Sequence, residues 1–319
     1  MSTAIDADAE EARHVFFYSY IAKDEEEDLV GTNKKLFENT LEALARVATK
    51  LEVLLLQTGH KYYGVHKGGE YLAPTPFRES APRHKGLNFY YVQEDMLKEA
   101  AKKSGYHWIV SRPNFIIGES RGNFMSLAVT LGLYAAIHKH LGKPLNFPGS
   151  SATYNLPYDF STADHNAAHQ LYLVNKKEAY DRAFNVHDGK PLKFAEVWSK
   201  VADYFGLNLP NPPADEAPDA NAIGKEVVLL HSSADFGKQN KSAIESWVKK
   251  HDLDPSAAEY ATWDFLDFAT ARTWSDLASL DEAKSVGWTE QCDTWEQGFK
   301  AVFDAMRRDK MIPQLGDDL

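Results

Sequence analysis

The chain has 319 residues, a hydrophobic content of 44% and a formal net charge of −11. This hydrophobic content is ordinary for a packed globule, and the acidity argues against nucleic-acid and anionic-membrane partners, because both attract basic surfaces. Cys292 is the only cysteine, which excludes a disulfide framework and a thiolate metal site and fits a reducing compartment. No apolar run approaches the ~18 residues of a membrane span, and residues 1–11 lack a secretory apolar region. We therefore expect a cytoplasmic protein without a metal cofactor.

The first half of the sequence predicts alternating strands and helices. Short apolar runs rich in β-branched or aromatic residues are typical of buried strands and lie at residues 14–20, 51–56 and 107–111. An amphipathic helix is predicted from Asn33, its candidate N-cap, to about residue 48. A Gly- and Pro-rich loop at 67–86 precedes a second helix, which begins at Asn88. Strand, helix, strand with short connections predicts a parallel sheet that is buried on both faces.

The second half of the sequence is predicted to be mostly helical. Helices are expected at about 123–140, from 163 through 173 and at 192–206, with a short strand at 183–186. Prolines and acidic residues at 208–220 indicate a linker or lid. We expect a flexible leader at 1–13, a truncated Rossmann-like core at 14–150, and further core elements with a smaller, mostly helical C-terminal substrate lobe at 151–319.

Chemistry is expected where the second predicted strand ends. The apolar run at 53–56 is followed by Thr58 and Gly59 and then by Lys61. The carboxyl edge of a parallel sheet is where α/β enzymes present catalytic groups. Tyr90 lies 29 positions after residue 61, and an ammonium beside a phenol lowers the pKa of the phenol, which suits oxyanion chemistry near neutral pH. Taken alone, these two residues favour the plainer interpretation of a surface lysine and a core tyrosine.

One feature of common dinucleotide-binding folds is not found in the sequence. Such folds begin with a strand and a Gly-x-Gly-x-x-Gly turn, whose following helix binds pyrophosphate at its N-terminus. The sequence has no such turn, and its first predicted strand begins at residue 14. We therefore expect a Rossmann-like α/β fold with a parallel sheet that is truncated at its N-terminal half. The open edge of such a sheet invites pairing, which predicts a homodimer or a covering segment.

Several motifs resemble those of atypical short-chain dehydrogenases of the progesterone 5β-reductase/iridoid synthase (PRISE) type, and they occur in the order seen in that family. The matching motifs are His14-Val15-Phe16-Phe17-Tyr18, Gln57-Thr58-Gly59-His60-Lys61-Tyr62-Tyr63, Asn88-Phe89-Tyr90-Tyr91 with Glu94-Asp95, and Trp108-Ile109-Val110-Ser111-Arg112-Pro113. The resemblance covers about residue 14 to the C-terminus. It implies NADPH-linked reduction of an activated C=C or C=O bond in a small, apolar carbonyl compound of specialised metabolism.

The resemblance also implies roles for individual residues. Tyr90 would donate a hydrogen bond to the developing oxyanion, and Lys61 would support it. Tyr90 is followed four positions later by Glu94 and not by lysine, which agrees with this family, where the lysine comes from the strand end. The candidate cofactor-binding residues are Thr58, Gly59, Pro113, Asn114, Phe115 and Ile116, and Asn114 stands where the family usually has glycine. The candidate substrate contacts are Tyr91, Tyr154 and Tyr158.

Three explanations of the missing glycine-rich turn stay open. The sequence comes from a gene model that lacks its first exon, or the protein uses Tyr90 and Lys61 as a cofactor-independent isomerase or cyclase. The third alternative is a non-catalytic homologue that binds a small molecule. Binding of NADPH, and turnover in its absence, distinguish the three.

Overall fold

The computed structural model describes residues 9–210, 229, 231–314 and 316. The chain forms two compact units. The α/β unit comprises the residues up to 114, 166–187 and 278–290, and the helical unit comprises 115–165, 188–277 and the residues from 291. The sequence predicts a leader at 1–13, a core at 14–150 and further core elements with a substrate lobe at 151–319; in the structure the two compact units alternate along the chain. Residues 1–8 of the predicted leader and 211–220 of the predicted lid lie outside the described residues.

The regular elements are numbered in chain order. The strands are β1 His14–Phe17, β2 Val53–Gln57, β3 His107–Pro113, β4 Phe115–Ile117, β5 Pro157–Tyr158, β6 Phe160–Thr162, β7 Arg182–Val186 and β8 Leu192–Lys193. The α-helices are α1 Glu26–Val47, α2 Phe89–Ser104, α3 Leu127–His140, α4 Ser151–Asn155, α5 Ala163–Val174, α6 Phe194–Phe205, α7 Ser233–Gln239, α8 Lys241–Lys250, α9 Trp263–Thr270, α10 Asp281–Ser285 and α11 Ala301–Arg308. A 3₁₀ turn at His60–Tyr63 follows β2, and a π-helical segment at Thr294–Lys300 precedes α11.

The α/β unit is built on a parallel sheet with the strand order β1-β2-β3-β7. Side chains alternate between the two faces of a strand, so Val53 and Leu55 of β2 pack in the apolar cluster that contains α5 and α10 residues. Leu54 and Leu56 pack on the opposite face, in the cluster that contains α1 and α2 residues. The prediction of a Rossmann-like parallel sheet that is buried on both faces is therefore confirmed.

The beginning of α1 differs from the prediction. The prediction that Asn33 caps this helix was wrong, because α1 begins at Glu26 and Asn33 is fully buried within it. The Asn33 side chain accepts the backbone N–H of Ile21 at 3.0 Å and donates to the Ile21 carbonyl at 2.8 Å. Acidic residues in the first turn of α1, Glu27 and Asp28 among them, complement the positive end of the helix dipole. Asn33 therefore fastens the β1–α1 connection instead of starting the helix.

The helical unit packs around α3, which is buried on nearly all sides. A helix that is apolar all round needs neighbours on every face. Gly132 allows a close approach by α11, because a Cβ at this position would lie only 2.8 Å from Met306 Sδ. Trp198 and Trp247 are almost fully enclosed in the same core. Within the described part of the chain, no helix combines the length and apolarity that a membrane crossing requires.

Candidate active site

Three of the predicted site residues meet at the carboxyl end of β2. The Thr58 N–H donates to the Ser111 carbonyl at 2.8 Å, which extends the pairing with β3 by one residue. A Cβ added at Gly59 would lie 3.1 Å from the Pro113 carbonyl oxygen and 3.6 Å from the Tyr90 hydroxyl oxygen. Gly59, Pro113 and Tyr90 therefore converge at the edge of the sheet where α/β folds place their sites.

Tyr90 lies in the first turn of α2. Its backbone N–H donates to Oδ1 of Asn88 at 3.0 Å, so Asn88 is the N-cap and the predicted start of this helix is confirmed. The Tyr90 ring packs on Phe89 with a centroid distance of 4.2 Å. Burial raises the pKa of Tyr90, with a smaller contribution from the neighbouring Tyr20 phenol. This direction is opposite to the lowering that the sequence predicts, and it keeps the phenol protonated as a hydrogen-bond donor.

Lys61 lies in the 3₁₀ turn that follows β2. Its ammonium nitrogen is 5.7 Å from the centroid of the Tyr20 ring, within the range of a cation–π contact. Its backbone carbonyl accepts a hydrogen bond from Nδ2 of Asn88 at 2.9 Å. Tyr20 is thus a neighbour of both Lys61 and Tyr90, and the sequence prediction missed it. The available signal was its position three residues after β1, at the same edge of the parallel sheet.

A buried ion pair between β3 and α2 packs against the 3₁₀ turn. The Arg112 guanidinium, which is 2% exposed, donates to Glu94 of α2 at 2.9 Å. The guanidinium also lies 3.4 Å from the centroid of the Tyr62 ring and donates to the Tyr63 hydroxyl at 3.2 Å. That hydroxyl donates to Oδ1 of Asn185 on β7 at 2.6 Å. Side chains of β3, α2 and β7 therefore fix the turn that carries the predicted lysine.

Tyr91 has its hydroxyl group engaged within the α/β unit. The hydroxyl donates to the Tyr62 carbonyl at 2.7 Å and accepts the His84 N–H at 3.0 Å. The side chain is only 7% exposed. These bonds fasten the loop before α2 to the 3₁₀ turn, and a substrate contact of Tyr91 stays a prediction.

Four other predicted residues belong to the helical unit. Phe115 is buried, whereas Ile116 is 38% exposed on β4. Tyr154 is buried in α4 with its ring 5.0 Å from that of Phe147. Tyr158 is fully buried, and burial raises its pKa to about 12. Their predicted roles toward cofactor and substrate stay predictions.

Gly59 is tightly enclosed on its side-chain face, and its predicted role toward a nicotinamide cofactor stays a prediction. The missing side chain lets the Pro113 carbonyl oxygen lie close to the Gly59 backbone, because an added Cβ would be only 3.1 Å from that oxygen. Thr58 is held in place by its bonds to the Ser111 carbonyl. Asn114, which directly follows β3, is partly exposed. Among the described residues, no cluster of His, Cys, Asp and Glu side chains could hold a metal ion.

Comparisons with known proteins identify the family of the chain. The model of the PRISE-like Rossmann-fold domain matches residues 1–313. A short chain dehydrogenase of Penicillium aethiopicum is 32% identical over 306 residues, which span 94% of this chain and 80% of that protein. The (S)-8-oxocitronellyl enol synthase of Camptotheca acuminata is 33% identical over 305 residues, or 94% of this chain and 75% of that enzyme.

Solved structures show the same fold at lower identity. A mutant form of the UDP-glucuronic acid 4-epimerase of Bacillus cereus, in complex with NAD and a fluorinated UDP-sugar, aligns with a TM-score of 0.61. The alignment covers 96% of this chain and 79% of the epimerase at 12% identity. This likeness shows the fold, and the family model with the two relatives shows that the chain belongs to the PRISE-like Rossmann-fold family of short-chain dehydrogenase-like oxidoreductases.

Proposed function

We propose that the protein is an NADPH-linked reductase that acts on an activated C=C or C=O bond of a small, apolar carbonyl compound. The observation that carries the proposal is the convergence of the Tyr90 hydroxyl with Gly59 and Pro113 at the carboxyl edge of the sheet. Lys61 lies in the adjoining turn. The names of the relatives support an oxidoreductase or enol synthase. A role in specialised metabolism and a cytoplasmic location are parts of the same proposal.

Each residue has a separate task in this proposal. Tyr90 donates a hydrogen bond to the carbonyl oxygen, where negative charge develops during reduction. The ammonium of Lys61 stabilises that charge through space. The bare backbone at Gly59 lets the Pro113 carbonyl and the Tyr90 phenol lie close together at the end of β2. NADPH, when bound, supplies the hydride.

Reduction of a simple enone tests the proposal. The full chain is assayed by NADPH absorbance with 2-cyclohexen-1-one as the probe. Tyr90→Phe removes the proton donor and is expected to lower kcat by about 100-fold or more, the usual range for a positioned acid. Gly59→Ala, whose methyl would approach the Pro113 carbonyl oxygen, is expected to lower kcat/KM while Tyr90 stays in place.

Tyr106→Phe is the matched control, because Tyr106 also has a pKa raised by burial, to about 12, but has no part in the proposed site. Its kinetics should equal those of the wild type. Full activity of Tyr90→Phe, or no thermal shift with saturating NADPH, contradicts the proposal. Turnover without nicotinamide that depends on Tyr90 would identify an isomerase or cyclase instead.

A further inference from the structure

We infer that Asn88 is a positioning residue that holds Lys61 and Tyr90 in one fixed arrangement. The inference rests on the proposed function, in which these two side chains act on the same oxygen. Asn88 touches neither side-chain functional group. Its side chain bonds the backbone of both residues, and the position of that backbone determines where the two side chains lie.

The Asn88 side chain joins the two chain segments directly. Its Oδ1 accepts the backbone N–H of Tyr90 at 3.0 Å, and its Nδ2 donates to the backbone carbonyl of Lys61 at 2.9 Å. The orientation of the amide is determined, because a backbone N–H can only donate and a carbonyl can only accept. One planar group therefore links the first turn of α2 with the 3₁₀ turn after β2.

The second hydrogen of the Asn88 amide is also used. Nδ2 lies 3.1 Å from Nε2 of His84, and Nδ1 of His84 lies 2.8 Å from the Lys85 carbonyl. The carbonyl requires a proton on Nδ1, so Nε2 of the neutral ring is the acceptor for Asn88. Asn88 is only 6% exposed, and losing a partner in a buried site leaves the other group unsatisfied. The amide is thus held from three sides.

Capping alone does not require asparagine at this position. Asn, Asp and Ser are about equally good N-caps, and each would accept the Tyr90 N–H. Only asparagine also presents N–H groups to the Lys61 carbonyl and His84. If Asn88 were no more than a cap, Asn88→Ser and Asn88→Asp would leave the enzyme intact. If Asn88 positions the pair, both variants fold but lose rate.

The experiment compares rate and stability in the same variants, using the enone assay with NADPH. Asn88→Ser should still unfold cooperatively, at a lower melting temperature because the Lys61 carbonyl and His84 lose their donor. It should lose kcat by about 10-fold to 100-fold, with KM within about twofold, because small misplacements of reacting groups act on the chemical step. Ser232→Ala removes the N-cap of α7, which accepts the Asp235 N–H at 3.1 Å, and should lower stability without lowering kcat.

A double variant distinguishes positioning of the reacting residues from general stabilisation of the fold. In a Tyr90→Phe background, Asn88→Ser should cause a clearly smaller further loss than in the wild type, since one of the two residues that it positions has already lost its function. Independent, multiplicative losses overturn the inference. Wild-type kcat in both Asn88→Ser and Asn88→Asp overturns it as well, as does loss of cooperative unfolding in both.

The failure of the underlying function is recognised separately. If Tyr90→Phe keeps full activity, the proposed site is wrong and Asn88 has no pair to position. If Tyr90→Phe is inactive while Asn88→Ser is as fast as the wild type, only the inference fails.

Discussion

At Tyr90, burial determines the protonation state of the phenol. Burial disfavours the phenolate, whereas an ammonium favours it. The pKa of Tyr90 is raised by burial and, to a smaller extent, by the neighbouring Tyr20 phenol. For a group that donates a hydrogen bond to an enolate, the protonated form is the useful one. Enolate stabilisation therefore needs no depressed pKa at this position.

The pH dependence of kcat tests the protonation state of Tyr90. Its pKa lies above the ordinary value of 10, so the donor form is full below about pH 10 and is lost only as the pH rises further. We expect kcat for 2-cyclohexen-1-one to show no alkaline decline up to about pH 9. Tyr106→Phe should give the same profile. An alkaline decline with an apparent pKa near about 8 would instead support the lowering by Lys61 that the sequence predicts.

The residue-level predictions could draw only on signals that are local in the sequence. Lys61, Gly59 and Tyr90 follow from local rules, namely a strand end and a helix start. Glu94 carries no local signal of burial, because it stands in a charged helix and its partner Arg112 lies on β3, 18 positions away in sequence. Tyr20 was missed because its position near Lys61 and Tyr90 depends on the pairing of β1 with β2 in the sheet.

At the scale of elements, the buried strands are the most predictable features. Each short apolar run of the first half became a strand of the sheet, and Asn88 and Gly206 are at the helix ends where the sequence puts them. The start of α1 was not predictable from capping rules. Asn33 has the side chain of a cap, but tertiary bonds to Ile21 determine its use.

His138 on α3 is expected to make the protein sensitive to acid. Nδ1 lies 2.8 Å from the Tyr134 carbonyl, and burial lowers the pKa of His138 from 6.5 to about 4. As the pH falls from 6.5 toward 4, the unfolded chain takes up a proton that the folded chain does not, so stability decreases. The loss between about pH 7 and about pH 5 should be about 2 kcal/mol, measured by urea unfolding.

Two variants isolate this contribution of His138. His138→Phe keeps a ring against Phe236, which stacks at 4.2 Å, and should remove the acid-dependent part of the loss. Tyr134→Phe loses a hydrogen bond to the Asn146 carbonyl but should retain the full acid dependence. An acid loss that is equal in the wild type and His138→Phe would disprove the role of this imidazole.

At the scale of the whole molecule, the sheet joins segments that are far apart in sequence. β1 and β2 are separated by 36 positions, from residue 17 to 53, and β2 and β3 by 50, from residue 57 to 107. β3 and β7 are separated by 69 positions, from residue 113 to 182. Pairings between distant segments are slow to form, because loop closure is costly before the contacts compensate for it.

The order of strand pairing is expected to follow these separations. During refolding from urea, pulse-labelling hydrogen exchange should show protection of β2 amides before those of β7. The edge pairing of β3 with β7 should therefore be the last part of the sheet to form. Simultaneous protection of both strands would show that the sheet closes in a single step. The amides of α3, whose bonds are local, serve as an internal reference for fast protection.

The separation of β3 from β7 in sequence also imposes a delay during synthesis on the ribosome. Ribosomes add about 5–20 residues per second, so roughly 3 to 14 s pass between the completion of β3 and the arrival of β7. Throughout this interval the apolar strand β3 presents unpaired backbone groups on one side, and such an edge is prone to join other nascent chains. A chaperone that binds extended segments would cover that edge for those seconds, so the yield of folded protein in a host cell should depend on chaperone supply more than on the stability of the finished fold.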